Sequence, residues 1–184
     1  MNPNKKEKAI KRFNRRPVFQ GYSFQAVIDD VLWPNGRRLK RDLILHRGIS
    51  VMIPQLDANH LVLIRQYRYG AGRTLWEIPA GTIDAKESPL ACAKREIQEE
   101  IGYKAKSWKK ILSFYPCPGF STEIIHSFLA SGLVKTQAQL ENDEILEPHV
   151  FSLKETAKMI QAKKIVDAKS LVPLFYFLKE KKLL

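Results

Sequence analysis

The chain is poor in the residues that build disulfide frameworks and zinc sites. Its 184 residues include two cysteines, Cys92 and Cys117, and four histidines. These form no CxxC or HExxH pattern, so we expect neither a zinc site nor a disulfide framework. No apolar run approaches the roughly 18 residues that a membrane span needs. The basic N-terminus is not followed by the apolar segment of a signal peptide. We therefore expect a cytoplasmic protein with no membrane partner.

Acidic residues are scarce relative to basic ones. The chain has 19 Asp and Glu against 31 Lys and Arg, a formal net charge of +12. Such a charge favours an anionic partner: nucleic acid, a membrane surface or a phosphorylated small molecule. Much of the excess lies in residues 1–16, which we interpret as a basic tail, frayed or in a short helix. Basic motifs interleaved with aromatic residues are missing, so nucleic acid is not the expected partner.

Strand patterns dominate the first half of the chain. Two runs rich in β-branched and aromatic residues, within 22–46, flank the pair Asn35-Gly36, and this predicts a β-hairpin with a type I′ turn. We assign residues 17–48 to this N-terminal hairpin region and 49–184 to a second domain. Further strands are predicted at 49–54, 61–68, 74–79, 108–115, 123–130 and 148–151.

Helices are predicted mainly in the second half. Ser88 is a suitable N-cap, Pro89 a suitable first residue and Gly102 a suitable left-handed exit for one helix. Ser152, with Glu155 three residues later, predicts a capping box for a second helix. A third helix is expected over 168–179. Residues 131–146 are polar and are predicted to form a long loop, which is often a functional feature. Strands with helices on their faces indicate an α/β layered domain.

Three carboxylates share one face of the first helix. Glu96, Glu99 and Glu100 are neighbours at helical spacing, and each like-charged pair costs about 0.2–0.5 kcal/mol. On composition alone, this stripe is either a solvated acidic face balanced by nearby basic residues or a site for a hard cation. Mg²⁺ prefers carboxylate oxygens and shares its remaining positions with water and phosphates.

The spacing around these acids resembles the Nudix box, GX5EX7REUXEEXGU, where U is a bulky aliphatic residue. Gly81, Glu87, Arg95-Glu96, Glu99-Glu100 and Gly102 occupy every fixed position, and Tyr103 departs from the pattern only at the last U. The resemblance implies an α/β fold, an α/β/α sandwich around a mixed sheet, with the box as a loop–helix–loop. It also implies a hydrolase that acts on a nucleoside diphosphate linked to another group.

The family resemblance also implies roles for the box residues. Glu96 and Glu100, assisted by Glu99 and the carbonyl of Ala80, would bind Mg²⁺ or Mn²⁺. Glu87 and Arg95 would pair and hold the loop and helix in register. Water would then attack phosphorus, with cations neutralising the phosphates and a carboxylate accepting the proton.

The surroundings of the box resemble the ADP-ribose pyrophosphatase subgroup. Pro118 lies 15 residues beyond Tyr103, and the stretches 65–68, 76–81 and 118–123 agree with it. In this subgroup an arginine at the position of Arg68 contacts the diphosphate, and we add Glu77 to the substrate-binding candidates. The catalytic base would come from the acidic loop, where the candidates are Glu141, Asp143, Glu144 and Glu147. We favour Glu141, with Asp143 or Glu144 near a metal.

Members of this subgroup are commonly homodimers that swap their N-terminal strands. The 17–48 region is the candidate exchanged element, and Phe24, Tyr22, Trp33 or Arg41 would contact the nucleobase. The leading interpretation is a metal-dependent hydrolase of nucleoside diphosphate sugars such as ADP-ribose or GDP-mannose. The alternatives are an RNA 5′-end pyrophosphohydrolase or decapping enzyme, which the basic ends favour, and a nucleotide-sensing domain without turnover.

Overall fold

The computed structural model describes residues 10–139 and 145–184. Within these ranges the strands are β1 Lys11–Gln20, β2 Phe24–Leu32, β3 Arg38–His46, β4 Ile49–Pro54, β5 His60–Arg68, β6 Arg73–Glu77, β7 Ala80–Thr82, β8 Tyr103–Phe114, β9 Ile125–Lys135 and β10 Leu146–Ser152. The helices are α1 Pro89–Ile101, α2 Leu153–Gln161 and α3 Ala168–Glu180, with a 3-10 turn at Tyr69–Ala71. None of the helices in these ranges has the length and apolar content to cross a membrane.

The chain divides into two compact units. Of the described residues, one unit comprises 10–47 together with 117–123, and the other comprises 48–116, 124–139 and 145–184. The sequence placed 117–123 in the second domain, but the backbone N–H of Ile44 donates to the Phe120 carbonyl at 2.7 Å. The Thr122 N–H returns to the Ile44 carbonyl at 3.0 Å. This pairing joins segments more than 70 residues apart, which local sequence patterns do not reveal.

The N-terminal unit contains an antiparallel sheet in the order β1-β2-β3. The prediction of a tail or short helix through residue 16 is wrong from Lys11 onward, because that residue begins β1. Arg15 pairs with Asp29 on β2 at 2.7 Å, and Asn14 donates to Asp30 at 3.0 Å. Acidic residues on the neighbouring strand thus balance a segment that is strongly basic when considered alone.

The predicted hairpin forms, but with a different turn. The Gly36 N–H donates to the Trp33 carbonyl at 2.9 Å, and the Trp33 N–H donates to the Arg37 carbonyl at 2.8 Å. Gly36 has φ +84°, whereas Asn35 is not among the residues with positive φ. A type I′ turn needs positive φ at both central residues, so this is the longer connection that ends in a left-handed glycine.

The second unit is built on mixed β-structure between helices. One sheet has the order β7-β4-β9-β8, with β4 and β9 parallel and the other pairs antiparallel, and a second sheet has the order β10-β5-β6. Alternate residues of β4 and β5 enter different cores, as strand geometry requires. Val51 and Leu63 pack in the core that contains α2 and α3 residues, whereas Met52 and Ile64 pack in the core that contains α1 residues. The predicted α/β/α sandwich is confirmed.

The helix signals in the sequence correspond to the observed helix ends. Ser88 caps α1 by accepting from the Ala91 N–H, and Gly102 ends the helix in the left-handed region. Ser152 and Glu155 form the predicted capping box of α2. The loop prediction for 131–146 is too long, because β9 extends to Lys135 through pairing with Tyr103 of β8. Polar composition hid this exposed extension of the ladder.

Candidate active site

The loop before α1 and the helix itself form a tightly anchored unit. The Ser50 hydroxyl of β4 donates to the Pro89 carbonyl at 2.7 Å, which ties the first turn of α1 to the sheet. The Cys92 thiol donates to the Gly81 carbonyl at 3.4 Å. Burial raises the pKa of Cys92 to about 12, so this thiol stays protonated and acts as a packing group.

The acidic residues of α1 are turned toward the protein. Glu100 is 2% exposed and Glu96 is 9% exposed, values that are incompatible with a solvated acidic face. The Ala80 N–H donates to Glu100 at 3.0 Å. A Cβ atom on Gly81 would lie 1.7 Å from the nearer Glu96 oxygen, so the absent side chain provides the space for this carboxylate. The structure thus brings Ala80, Glu96 and Glu100 together.

Arg95 links the loop to the acidic face. Its Nε and Nη2 atoms each lie 3.1 Å from a Glu87 oxygen, the pair that the sequence predicted. Its Nη1 atom donates to Glu96 at 2.7 Å and to Glu99 at 2.9 Å. Nη2 also donates to the Thr82 carbonyl at 3.2 Å. One guanidinium therefore compensates three carboxylates that would otherwise repel one another.

These contacts perturb both partners of the box pair. The hydrogen bonds to Glu87 are the largest cause of the raised pKa of Arg95, followed by burial, which opposes the rise, and by the charge of Glu96. The hydrogen bond from Arg95 holds the pKa of Glu87 below its ordinary value, against the opposing effect of burial. Glu87 is therefore ionised throughout the neutral range, and both partners of the pair are charged there.

A second ion network lies at the end of β5. Arg68 donates through Nε to both Glu77 oxygens at 3.1 Å and through Nη2 to one of them at 2.7 Å. The Glu77 side chain is 1% exposed and also accepts from the Lys169 ammonium. Burial alone would lower the pKa of Arg68, but the Glu77 bonds and the charges of Glu77 and Glu100 raise it. The charge of Glu100 is thus a smaller contribution to the raised pKa of Arg68 than the contacts with Glu77.

Glu77 is therefore the buried partner of the predicted substrate-binding arginine, and a direct contact of its own with substrate stays a prediction. Sequence reasoning missed Lys169 and the residues around it at the start of α3. Asp167 accepts from Lys169 at 2.8 Å and from the Ser170 hydroxyl at 2.6 Å. The Ser170 hydroxyl in turn accepts from the Ile78 N–H at 2.9 Å. The 92-residue separation between Glu77 and Lys169 explains why no local signal revealed this connection.

The other predicted site residues are Arg41, Phe24, Glu141 and Glu144. Arg41 and Phe24 belong to the N-terminal unit, where the Arg41 guanidinium lies 4.8 Å from the centre of the Trp33 ring. Their contact with a nucleobase stays a prediction. Glu141 and Glu144 lie outside the described residues. The backbone leading toward them is held, because the Gln139 N–H donates to the Glu99 carbonyl at 3.0 Å.

The acidic face has the donor chemistry of a hard-cation site. Among residues 10–139 and 145–184, no three acidic, histidine or cysteine side chains converge into a complete ligand set. Three carboxylates and a backbone carbonyl are nevertheless oxygen donors of the kind that divalent cations prefer. Glu96 and Glu99 already share one cationic partner, the Nη1 atom of Arg95. The predicted ligands Ala80, Glu96, Glu99 and Glu100 therefore fit such an ion.

Comparison with known proteins agrees with this geometry. The chain is 35% identical over 168 residues to the ADP-ribose pyrophosphatase of Bacillus subtilis (strain 168), covering 90% of this chain and 91% of that protein. It is 36% identical over 172 residues to the methanol dehydrogenase activator of Bacillus methanolicus, covering 92% and 91%. A crystal structure described as an ADP compounds hydrolase superposes with a TM-score of 0.83 at 21% identity, covering 98% of this chain and all of that one.

A family model gives the most direct assignment. The model of the NUDIX domain matches residues 46–174, a range that contains the whole box and the Arg68–Glu77–Lys169 network. Hydrolases of this family generally need divalent metal ions, in agreement with the carboxylates on α1. The sequence motif, the layered fold and the family match therefore converge, and the chain belongs to the Nudix family.

Proposed function

We propose that the protein is a metal-dependent pyrophosphohydrolase that cleaves the diphosphate linkage of nucleoside diphosphate sugars. The observation that carries this proposal is the hydrogen bonding of the short segment 77–80. Glu77 accepts from Arg68 at 2.7 Å, and the Ala80 N–H, three residues later, donates to Glu100 at 3.0 Å, so this segment links the candidate metal ligands to the candidate phosphate-binding guanidinium. The similarity to an ADP-ribose pyrophosphatase along most of both chains supports the same substrate class.

The proposed reaction is attack of water on one phosphorus of the diphosphate. The P–O bond to the bridging oxygen breaks, giving a nucleoside monophosphate and a sugar phosphate. A divalent cation, Mg²⁺ or Mn²⁺, held by Glu96, Glu99, Glu100 and the Ala80 carbonyl, would neutralise phosphate charge and lower the pKa of the attacking water. Arg68 would bind the diphosphate with the planar fork that suits phosphate oxygens.

A carboxylate must accept the proton of the attacking water. We propose Glu141 for this role, with Glu99 and Glu144 as the alternatives. The binding of the Gln139 backbone to Glu99 supports a source in the segment that follows. Loss of kcat in Glu141→Gln, with retention in Glu144→Gln, is the expected result. Full kcat in Glu141→Gln would contradict the assignment.

The experiment that tests the proposed activity is a substrate panel with Mg²⁺ or Mn²⁺. It contains ADP-ribose, GDP-mannose, UDP-glucose, dinucleoside polyphosphates, nucleoside triphosphates and 5′-triphosphate RNA, with products separated by chromatography. Glu100→Gln is measured beside wild type and beside Glu180→Gln, a matched change of an exposed residue at the end of α3. We expect the wild-type protein to cleave sugar nucleotides. The rate of cleavage should fall about a hundredfold or more in Glu100→Gln and should be unchanged in Glu180→Gln.

Other outcomes of the panel favour other functions. Turnover of RNA with none of the sugar nucleotides would favour an RNA-end hydrolase, which the net charge of +12 makes the second candidate. Tight ligand binding without any turnover would favour a sensing domain. The complete set of box carboxylates argues against that result.

We also propose a homodimer that exchanges its N-terminal strands. The N-terminal unit exposes large apolar side chains that a monomer would leave in water; Phe13, Val18 and Phe19 are each more than half exposed. Sizing at low micromolar concentration should give about 42 kDa, twice the 21.2 kDa of one chain. A species of about 21 kDa would refute the dimer.

We propose a cytoplasmic location as well, because both described cysteines are free thiols.

A further inference from the structure

Glu77 is a buried carboxylate held between two cations from distant parts of the chain. Arg68 reaches it from the end of β5, and Lys169 reaches it from the first turn of α3. Removing one partner of a buried charge leaves the remaining charge uncompensated, which is costly in a region of low dielectric constant. A contact that holds Glu77 in place therefore also holds Arg68, which donates to the same carboxylate oxygens.

The hydrogen bonds leave part of the Arg68 guanidinium unused by Glu77. Nε and Nη2, which form one edge of the fork, both donate to Glu77. The same carboxylate fixes the direction of the Nη1 edge, because the guanidinium is planar and rigid. The Arg68 side chain is 37% exposed, so part of it remains accessible to a ligand although its partner Glu77 is buried.

Lys169 is itself held in a defined position. Asp167, the N-cap of α3, accepts from the Lys169 ammonium at 2.8 Å and from the Ser170 N–H at 3.1 Å. The Lys169 side chain is 14% exposed, so little of it is available for direct contact with a large anion. The four groups, two cations and two carboxylates, balance in charge. Without Lys169, Arg68 alone among these groups would compensate the negative charge of Glu77.

We infer that Lys169 is a positioning residue for substrate binding. It holds Glu77 in place and compensates part of the negative charge of that carboxylate. Arg68 is thereby oriented toward the diphosphate, and less of its positive charge is neutralised by Glu77. The inference rests on the proposed function, because it concerns the diphosphate of the same substrates. It assigns a specific task to the first turn of α3, a segment outside the Nudix box.

The test compares Lys169→Met, which keeps length and removes charge, with Lys169→Arg, which keeps charge. Lys179→Met, an exposed change near the other end of α3, is the matched control. The readouts are KM and kcat for ADP-ribose, and the Kd of its non-hydrolysable α,β-methylene analogue by calorimetry. We expect Lys169→Met to raise KM and Kd about tenfold, within the range for coupled charges in one network, with kcat changed less than about twofold. Lys169→Arg should restore most of the affinity.

A double-mutant cycle with Arg68→Met separates positioning from a general structural effect. In the Arg68→Met background, Lys169→Met should change Kd by less than about twofold, because the group that it positions is gone. Equal effects in both backgrounds, or an unchanged Kd in the single variant, would overturn the inference while wild-type turnover upholds the proposed function. If Lys169→Met does not fold, a Lys169→Arg protein that folds but binds as weakly as Arg68→Met overturns it instead. A wild-type protein that hydrolyses none of the sugar nucleotides in the panel refutes the proposed function and, with it, the inference.

Discussion

Gly81→Ala should disable the proposed metal site without perturbing the backbone. Gly81 is not among the residues with positive φ, so alanine can adopt its conformation. The added Cβ would lie 1.7 Å from a Glu96 oxygen and 1.8 Å from its carboxylate carbon. Ordinary van der Waals contact begins near 3.4 Å, so the oxygen has to retreat by about 1.7 Å. That displacement removes Glu96 from its 2.7 Å bond to Arg95 and from any shared cation.

The size of the effect follows from the tight geometry of magnesium coordination. Mg²⁺ requires oxygen ligands at about 2.0–2.1 Å, so a ligand moved this far no longer binds. Losing a residue that only hydrogen-bonds to a metal ligand lowers the affinity for the metal about 10–100-fold. We expect Gly81→Ala to lower the affinity for Mg²⁺ by at least about 100-fold. Overpacking costs typically about 1–3 kcal/mol, and a loss of stability within this range is expected because the added Cβ would also lie 2.3 Å from the Cγ atom of the nearly buried Glu96.

The assay is ADP-ribose hydrolysis as a function of Mg²⁺ concentration, with thermal unfolding measured in parallel. Gly119→Ala is the matched control, because a Cβ there meets nothing within 4 Å. In a Glu96→Ala background the Gly81→Ala change should have little further effect on the Mg²⁺ dependence, since the displaced carboxylate is absent. Wild-type Mg²⁺ dependence in Gly81→Ala would refute the argument that Gly81 makes room for a metal ligand.

Three further outcomes are expected. Ser170→Ala leaves a main-chain donor at the end of β6 without its acceptor, so urea unfolding should show a loss of about 1–3 kcal/mol; an unchanged midpoint would contradict this. Glu87→Gln should destabilise the fold at neutral pH but not in strong acid. Arg95 lowers the pKa of the Glu87 carboxyl in the folded state. The ionised carboxylate therefore stabilises the fold above its unfolded-state pKa, and this stabilisation is lost as pH falls through its folded-state pKa. A pH-independent difference in melting temperature would rule this out. A thiol reagent at pH 8 should modify exposed Cys117 and spare Cys92, whose pKa burial raises to about 12; two rapidly reacting thiols in the native protein would be the contrary result.

Local signals in the sequence are sufficient to predict many of the secondary-structure elements of the second unit. Ser88, Pro89 and Gly102 each satisfy a backbone requirement within a few residues, so the bounds of α1 could be predicted from residue type alone. The capping box of α2 is equally local. The fixed spacing of the box then identified the acidic face as a cation site, although the helix alone favoured a solvated acidic face. Burial of Glu96 and Glu100 distinguishes the two.

Long-range pairing could not be read in the same way. The basic residues after Lys11 indicated a solvated tail until the acids of β2 were placed opposite them. The turn at Gly36 depended on how the flanking strands pair, which the dipeptide alone does not specify. Lys169 carried no motif, because its partner Glu77 is 92 residues away. Such charge complementarity becomes visible only when the topology is known.

The three-way contact of Arg95 has a consequence for the protein before any metal arrives. A helix face with unbalanced carboxylates would raise its own proton affinity and open toward solvent. Here the chain carries its own counterion, whose Nη1 atom lies 2.7 Å from Glu96 and 2.9 Å from Glu99. In the proposed metal site, binding of a divalent ion would exchange one positive partner for another. Arg95 therefore holds Glu96 and Glu99 in place, and the cost of releasing Arg95 from these oxygens would moderate how tightly the proposed site holds an ion.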